Sequence, residues 1–294
     1  MPRSAARQHQ HIDRTEQLES AARLTARNTR GDSDEERQAL FFEGPRDIGK
    51  SSLLFEIYER HAASDVYFVD LSRLVVEHEV LEALAIQARR QQVEVPSYRA
   101  ARDRFARQSG PVQVEFTDVR VRNSAIQLIT QSEDRGLQTA SLSDALLDNL
   151  VADARRPVVC FDGFEACAQP MRDWLGRSLL PNLLSRREVS VFVAGREVPR
   201  LSRPYSGAAR TLVLPPFDVA AVEDWIEALG FASLREKAVA IREAHGGVPG
   251  LLAEFFAYHT EPTEPTELVE PHETAGARPD GRGTTTLDQG RREG

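Results

Sequence analysis

Lysine is almost missing from this sequence: of 37 basic residues only Lys50 and Lys237 are lysine, and the rest are arginine. Cysteine is nearly as scarce. Cys160 and Cys167 offer neither a disulfide framework nor metal-ligand spacing, which points to a reducing, cytoplasmic compartment. No apolar run reaches the length of a membrane span. The opening residues, MPRSAARQHQHIDR, are polar and arginine-rich and do not read as a secretory signal. An excess of positive charge is absent too; the formal net charge is −8, which weighs against nucleic acid as the main ligand. What is present is a chain of 294 residues, 41% of them hydrophobic, enough for one large or two small domains with a sizeable core.

Against the arginine bias, one of the two lysines stands in a glycine turn. The stretch GPRDIGKS (residues 44–51) fits the pattern G-x-x-x-x-G-K-[ST], between an apolar run, ALFFE, and an amphipathic one. Such a loop curls successive backbone N–H groups around phosphate, and the following helix points its positive end at the same place. A slim ammonium fits there where the broad guanidinium fork does not. Gly44, Pro45, Arg46, Asp47, Ile48, Gly49, Lys50, Ser51 and Ser52 are therefore the expected phosphate-binding residues. Lys50 should reach the terminal phosphates and Ser51 should ligate Mg²⁺, with Ser52 packing or capping. Many such loops carry a third glycine where Asp47 stands. Aspartate tolerates unusual backbone angles, but it brings a negative charge near phosphate, which either points outward or weakens affinity.

Continuous apolar runs predict strands at 39–43, 65–72, 157–162, 189–195 and 210–217, of the kind buried on both faces of a parallel sheet. Helical spacing appears at 14–27, 50–61, 77–91 and 97–108, and at 141–155 with Ser141 or Ser143 as its cap. A further helix covers PMRDWLGRSLLPNLLSRR, where Pro181 should end or kink it. Residues 112–129 alternate apolar and polar and predict a hairpin inserted at about 111–130. From residue 218 only helical patterns occur. The expected organisation is a polar extension (1–36), an α/β core (37–217), a helical lid (218–259) and a Pro-, Thr-, Gly- and charge-rich disordered tail (260–294).

Three further elements can carry chemistry. PVVCFDGFE ends a buried strand in Asp162, where a Mg²⁺–nucleotide site needs an acid, and Glu165 follows three residues later, where a carboxylate could polarise water. An ordinary Asp-Gly turn would look the same in isolation. VFVAGRE ends the next strand in Arg196, at the strand end where ligands of parallel sheets sit; pairing with a nearby acid is the plainer role. Arg200 and Arg203 follow in the next loop. HGGVPGLL opens the last helix with Pro249. No guanine-specific N-K-x-D occurs, so adenine is the expected base.

In this order (phosphate loop, VVCFDGFE, a W…LLP helix, VFVAGR, LPPFD, GGVPGLL) residues 39–258 resemble the STAND class of P-loop ATPases, signal-transduction switches related to AAA+ proteins. The resemblance implies a three-layer α/β/α fold with a mostly parallel sheet ordered 5-1-4-3-2, followed by a helical domain. It implies that Asp162 and Glu165 are the acidic strand end, Arg196 the sensor arginine, and Pro249 the proline near adenine. The winged helix and sensor repeats that usually follow in that class do not appear in this sequence. The expected function is an ATP-binding, slowly hydrolysing switch ATPase that uses Mg²⁺ with ATP between core and lid to change conformation or assembly. Its expected partners are ATP or ADP, a protein, and further copies of itself in a nucleotide-dependent oligomer, with no membrane and no nucleic acid. The rival is a non-catalytic nucleotide-binding adaptor acting through protein contacts.

Overall fold

A computed structural model of the chain describes residues 14–30, 38–62, 65–108 and 121–260. Residues 261–294 of the tail expected to be disordered lie outside them, as do residues 1–13 and 31–36 of the N-terminal extension and 111–120 of the expected hairpin. Helix α1 (Thr15–Arg30) comes first, then β1 (Ala39–Glu43), α2 (Lys50–Arg60), β2 (Val66–Asp70), α3 (Glu77–Arg90), α4 (Pro96–Gln108) and α5 (Val121–Leu150). β3 (Val158–Asp162), α6 (Gln169–Trp174), α7 (Leu180–Leu184), β4 (Ser190–Gly195) and β5 (Ala209–Val213) complete the core. Three helices end the described chain: α8 (Val219–Ala228), α9 (Ala238–Ala244) and α10 (Pro249–Thr260).

All five strands run parallel, in the spatial order β2-β3-β4-β1-β5. This is the order 5-1-4-3-2 read from the other edge, as expected. The apolar runs account for it. In β1, Ala39 and Phe41 enter one core cluster with α3, α5 and α7, while Leu40 and Phe42 enter a second with α1 and α2. A strand that must bury both faces cannot afford alternation, so it reads as continuous hydrophobic sequence. β4, central in the sheet, is buried at all six positions, and its Phe192 stacks on Phe42 of β1 with ring centroids 6.3 Å apart. The N-terminal segment, expected as an extension, contributes to this core. Leu18, Ala21 and Leu24 of α1 are buried against α2 and the sheet.

Two local expectations fail, and a third holds only in one of its alternatives. Residues 121–129 belong to the helix α5, not to strands. The alternation runs over 112–121, whereas Val121, Ala125, Ile126, Leu128 and Ile129 recur at helical spacing, and downstream Leu142, Leu146 and Leu147 do the same and are buried. The caps proposed at Ser141 and Ser143 fall inside that helix; Ser143 is buried and accepts a hydrogen bond from Asn182 Nδ2 at 3.1 Å. Pro181, expected to end or kink its helix, does not end it, but the helix is distorted just before it. It stands in the first turn of α7, after a wide π-helical turn at Leu175–Leu179. A proline cannot donate to the carbonyl four residues back, and widening the preceding turn relieves the clash.

The last helices build their own small core. Phe217, Trp225 and Phe256 are fully buried there, with Trp225 in edge contact with both rings. Among the described residues no helix is long and apolar enough to cross a membrane.

Candidate functional site

The chain leaves β1 at Glu43, turns through residues 44–49 and enters α2 at Lys50. Two residues of the turn are left-handed, Asp47 at φ 62° and Gly49 at φ 91°. Asp47 is one of the few side chains that accept this. Its carboxylate is half-exposed and lies 3.5 Å from Arg46 Nε, so of the two outcomes open to it this side chain takes the outward one. Lys50 is buried, with 8% of its surface exposed, and its ammonium donates to the carbonyls of Gly44 at 2.9 Å and Pro45 at 2.6 Å. Burial pulls its pKa below the ordinary lysine value, opposed by the nearby Glu165 and Asp162.

The neighbouring strand ends bring the rest together. Ser51, at the second position of α2, hydrogen-bonds the carboxylate of Asp162 at the end of β3. Burial pushes the Asp162 carboxyl above its usual range; that hydrogen bond and one from the Gly163 N–H oppose the shift. Glu165 lies in the 3₁₀ turn after β3, and Arg196 directly follows β4. Arg196 Nε is 3.3 Å from Glu165 Oε1; the arginine is 61% exposed and the glutamate 19%. The second oxygen, Glu165 Oε2, is buried with no hydrogen-bond partner among the described residues. A Cβ on Gly195 would stand 2.3 Å from the Glu197 carbonyl oxygen and 2.9 Å from Glu165 Oε2; the backbone oxygen is what demands glycine there.

The C-terminal helices touch the same loop. Gly250 N–H, one residue into α10 beside the buried Pro249, donates to the Asp47 carbonyl at 2.8 Å. Arg14, just before α1, escaped the sequence reading. Its guanidinium is buried, donates to the carbonyls of Ile48 at 3.2 Å and Pro215 at 2.8 Å, and lies 4.9 Å from the Phe217 ring centre. It thereby joins the phosphate loop to the entrance of the lid. An arginine opening a polar helix carries no sequence sign of such burial. Lys50, Ser51, Asp162, Glu165 and Arg196 thus converge at one end of the sheet, with Pro249 arriving from the lid side. Ser52, half-buried, follows Ser51 in α2.

Asp162 and Ser51 are already paired at a strand end beside the phosphate loop, which fits the two protein ligands that Mg²⁺ takes when phosphate oxygens and water supply the others. Among the described residues no cluster of three or more His, Cys, Asp or Glu forms a metal cage.

No family model matches the chain, and no curated protein matches it in sequence. Solved structures do. The chain overlays Cdc6p from Pyrobaculum aerophilum with a TM-score of 0.52 at 12% identity, over 84% of this chain and 62% of that one. The Orc1 protein of Aeropyrum pernix, solved with DNA, gives 0.44 at 16% identity over 85% and 61% of the two chains. A STAND protein with a tetratricopeptide repeat sensor from Pyrococcus horikoshii gives 0.42 at 12% identity over 74% and 27%. With the strand order and the Cdc6p overlay, the fold is that of AAA+ P-loop proteins. The chain spans about three fifths of the length of Cdc6p and Orc1 and about a quarter of the STAND protein.

Proposed function

We propose that the chain binds Mg²⁺–ATP between the phosphate loop and the lid, hydrolyses it slowly, and acts as a switch ATPase of the STAND kind, with a protein partner and nucleotide-dependent self-assembly as its outputs. The observation that carries this reading is the convergence of Lys50, Ser51, Asp162, Glu165 and Arg196 at one strand end, with the lid hydrogen-bonded to the same loop.

Lys50 is held by two loop carbonyls, and the β- and γ-phosphate oxygens would take their place as acceptors. Ser51 and Asp162 would hold the metal, which neutralises charge developing on the phosphates. Arg196 is mostly exposed and has both terminal nitrogens available beyond its contact with Glu165. A γ-phosphate within its reach draws the guanidinium off Glu165. The freed carboxylate then takes the proton of a water that attacks the γ-phosphorus, while the bond to the β-phosphate oxygen breaks to give ADP and phosphate. ADP lacks the group that engages Arg196, so the two nucleotides differ in their contacts, which is what a population shift requires. Pro249 and the start of α10 would lie against the base and pass this difference to the lid.

One observation favours a second reading, a nucleotide-binding adaptor without turnover. Glu165 is tied by one oxygen to Arg196, and its other oxygen is buried against Gly195. Phosphate release by the purified chain and by Glu165→Gln separates the two. The switch-ATPase reading expects slow release by the wild type, a loss of about a hundredfold or more in the variant, and unchanged ATP affinity. Equal release by both, above a protein-free blank, removes Glu165 from catalysis. Release by neither supports the adaptor.

A further inference from the structure

Asp162 is not the only acid that ends a strand on its side of the sheet. Val66, Phe68 and Asp70 of β2 stand opposite Val158, Cys160 and Asp162 of β3, position for position. Val66, Val158 and Cys160 are buried with Leu53, Leu54 and Ile57 of α2, and Phe68 packs beside them. This alternate set therefore faces the helix that follows the phosphate loop. Phe55 of α2 meets Phe68 edge-on with ring centroids 6.4 Å apart, and Ser51 lies one turn earlier in α2, toward the strand ends. Asp70 thus ends β2 beside Asp162, on the face that carries Ser51, and neighbouring strands are only about 4.8 Å apart. After burial, which dominates, the Asp70 charge also disfavours the ionised form of Asp162.

Local structure explains only part of Asp70. Its Oδ1 accepts from the Ser72 N–H at 3.1 Å and from the Ser72 hydroxyl at 2.5 Å, which caps the 3₁₀ turn Leu71–Arg73. Asparagine offers the same oxygen and caps equally well, so the turn does not call for a charge. Oδ2 lies 3.0 Å from Arg73 Nε, and that arginine side chain is 84% exposed. A pair so open to water contributes little. What the turn leaves unexplained is a second carboxylate set beside the first, an arrangement that costs free energy unless a cation joins them.

We propose that Asp70 is a further residue of the Mg²⁺ site, a carboxylate that holds the water shell of the metal while Ser51 and Asp162 hold the ion itself. This rests on the nucleotide reading and deepens it. Mg²⁺ gives up its waters reluctantly and is bound through one or two carboxylates plus phosphate oxygens, so several waters stay on it. Those waters donate to acceptors beyond the ligands, and an ionised carboxylate is the strongest acceptor a protein offers them. Oδ2 of Asp70 serves, because Arg73 can give it up to solvent at little cost. Asp70 then attracts the cation without a direct bond to it and fixes the waters that Ser51 and Asp162 leave in place.

Calorimetric titration of ATP into the full-length chain over a series of Mg²⁺ concentrations tests it, with wild type, Lys50→Ala, Asp70→Asn and Arg73→Ala. Asp70→Asn should need roughly tenfold more Mg²⁺ for half-maximal ATP binding, at the lower end of what losing a residue behind the metal ligands costs. In chelator its ATP affinity should equal or exceed that of wild type, because only a repelling charge has gone. Its melting temperature should stay near wild type, because asparagine keeps the cap. Arg73→Ala should need no more Mg²⁺ than wild type. An unchanged Mg²⁺ requirement in Asp70→Asn, while wild-type binding still depends on Mg²⁺ and on Lys50, overturns this proposal alone. Wild-type binding that ignores Mg²⁺ or Lys50 overturns the nucleotide reading and this proposal with it. A clear fall in melting temperature, a loss of affinity that persists in chelator, or an equal loss in Arg73→Ala would assign Asp70 to the turn and overturn the proposal too.

Discussion

Gly250 is the position where α10 meets the loop of residues 44–49, and Gly250→Ala measures that contact. A Cβ there would stand 2.6 Å from Asp47 Cβ, 3.1 Å from the Asp47 carbonyl oxygen and 3.3 Å from its Cα, where ordinary contact begins at 3.4 Å. The obstacle is backbone and Cβ rather than the end of a flexible side chain, so lid and loop must separate by about 1 Å. Overpacking of this kind costs about 1–3 kcal/mol. Stretching the 2.8 Å hydrogen bond from Gly250 N–H to Asp47 forfeits a further ~0.5–1.5 kcal/mol. Alanine returns about 0.4–1 kcal/mol through the unfolded chain. The net is about 0.5–4 kcal/mol of destabilisation, and each kcal/mol lowers the melting temperature of a domain this size by about 2–4 °C. If 1.4 kcal/mol of the strain is relieved by opening the lid, nucleotide affinity falls about tenfold. Thermal unfolding and a fluorescent-nucleotide titration read the two effects. Gly176→Ala, where a Cβ meets nothing within 4 Å, controls for the substitution itself. A Gly250→Ala chain as stable as wild type, with equal nucleotide affinity, would refute the contact.

Other expectations follow from the same geometry. Arg14→Ala should cost about 3–5 kcal/mol in denaturant unfolding, because it leaves the Ile48 and Pro215 carbonyls without a charged donor in a buried place; a loss under about 1 kcal/mol would show that water replaces it. Arg196→Ala should bind ATP and ADP with nearly equal affinity where the wild type distinguishes them, and retained discrimination in a calorimetric comparison would move that role to another residue. Mg²⁺–nucleotide affinity should fall on acidification while the pH is still above the ordinary aspartate value of 3.8, because Asp162 must be ionised to hold metal and burial raises its pKa. Stability of the free chain moves oppositely, since the cost of the buried carboxylate is present above the raised pKa and is relieved as pH falls through it. Affinity that stays flat down to the ordinary aspartate value would contradict the first half of that statement.

Much of this site was legible because its parts are local. The phosphate loop spans eight residues, and Asp162, Glu165 and Arg196 each sit at the end of an apolar run whose burial its composition announces. The strands were legible because a parallel sheet buries both faces, as Leu40 and Phe41 show from opposite sides of β1. What stayed hidden depends on distant partners. Ser143 resembles a cap until Asn182 is found 3.1 Å away. Residues 112–121 alternate like strands and drew 121–129 into the same reading, yet VRNSAIQLI spaces its apolar residues as a helix does and runs on into a segment whose leucines bury along one helix face. Arg14 joins carbonyls 34 and 201 residues away in sequence, and the glycine at 250 is explained only by Asp47. The resemblance to the STAND class anticipated the sheet order, because that order belongs to the wider AAA+ fold.

The central claim is that the loop around Lys50 binds a nucleoside triphosphate with Mg²⁺. Isothermal titration of ATP into the full-length chain, with Mg²⁺ and with chelator, against the wild type and Lys50→Ala, tests it most directly. The account predicts binding that needs both the metal and the Lys50 ammonium, so that heat of binding disappears in the variant and weakens sharply with chelator. Equal ATP affinity in wild type and Lys50→Ala would contradict it.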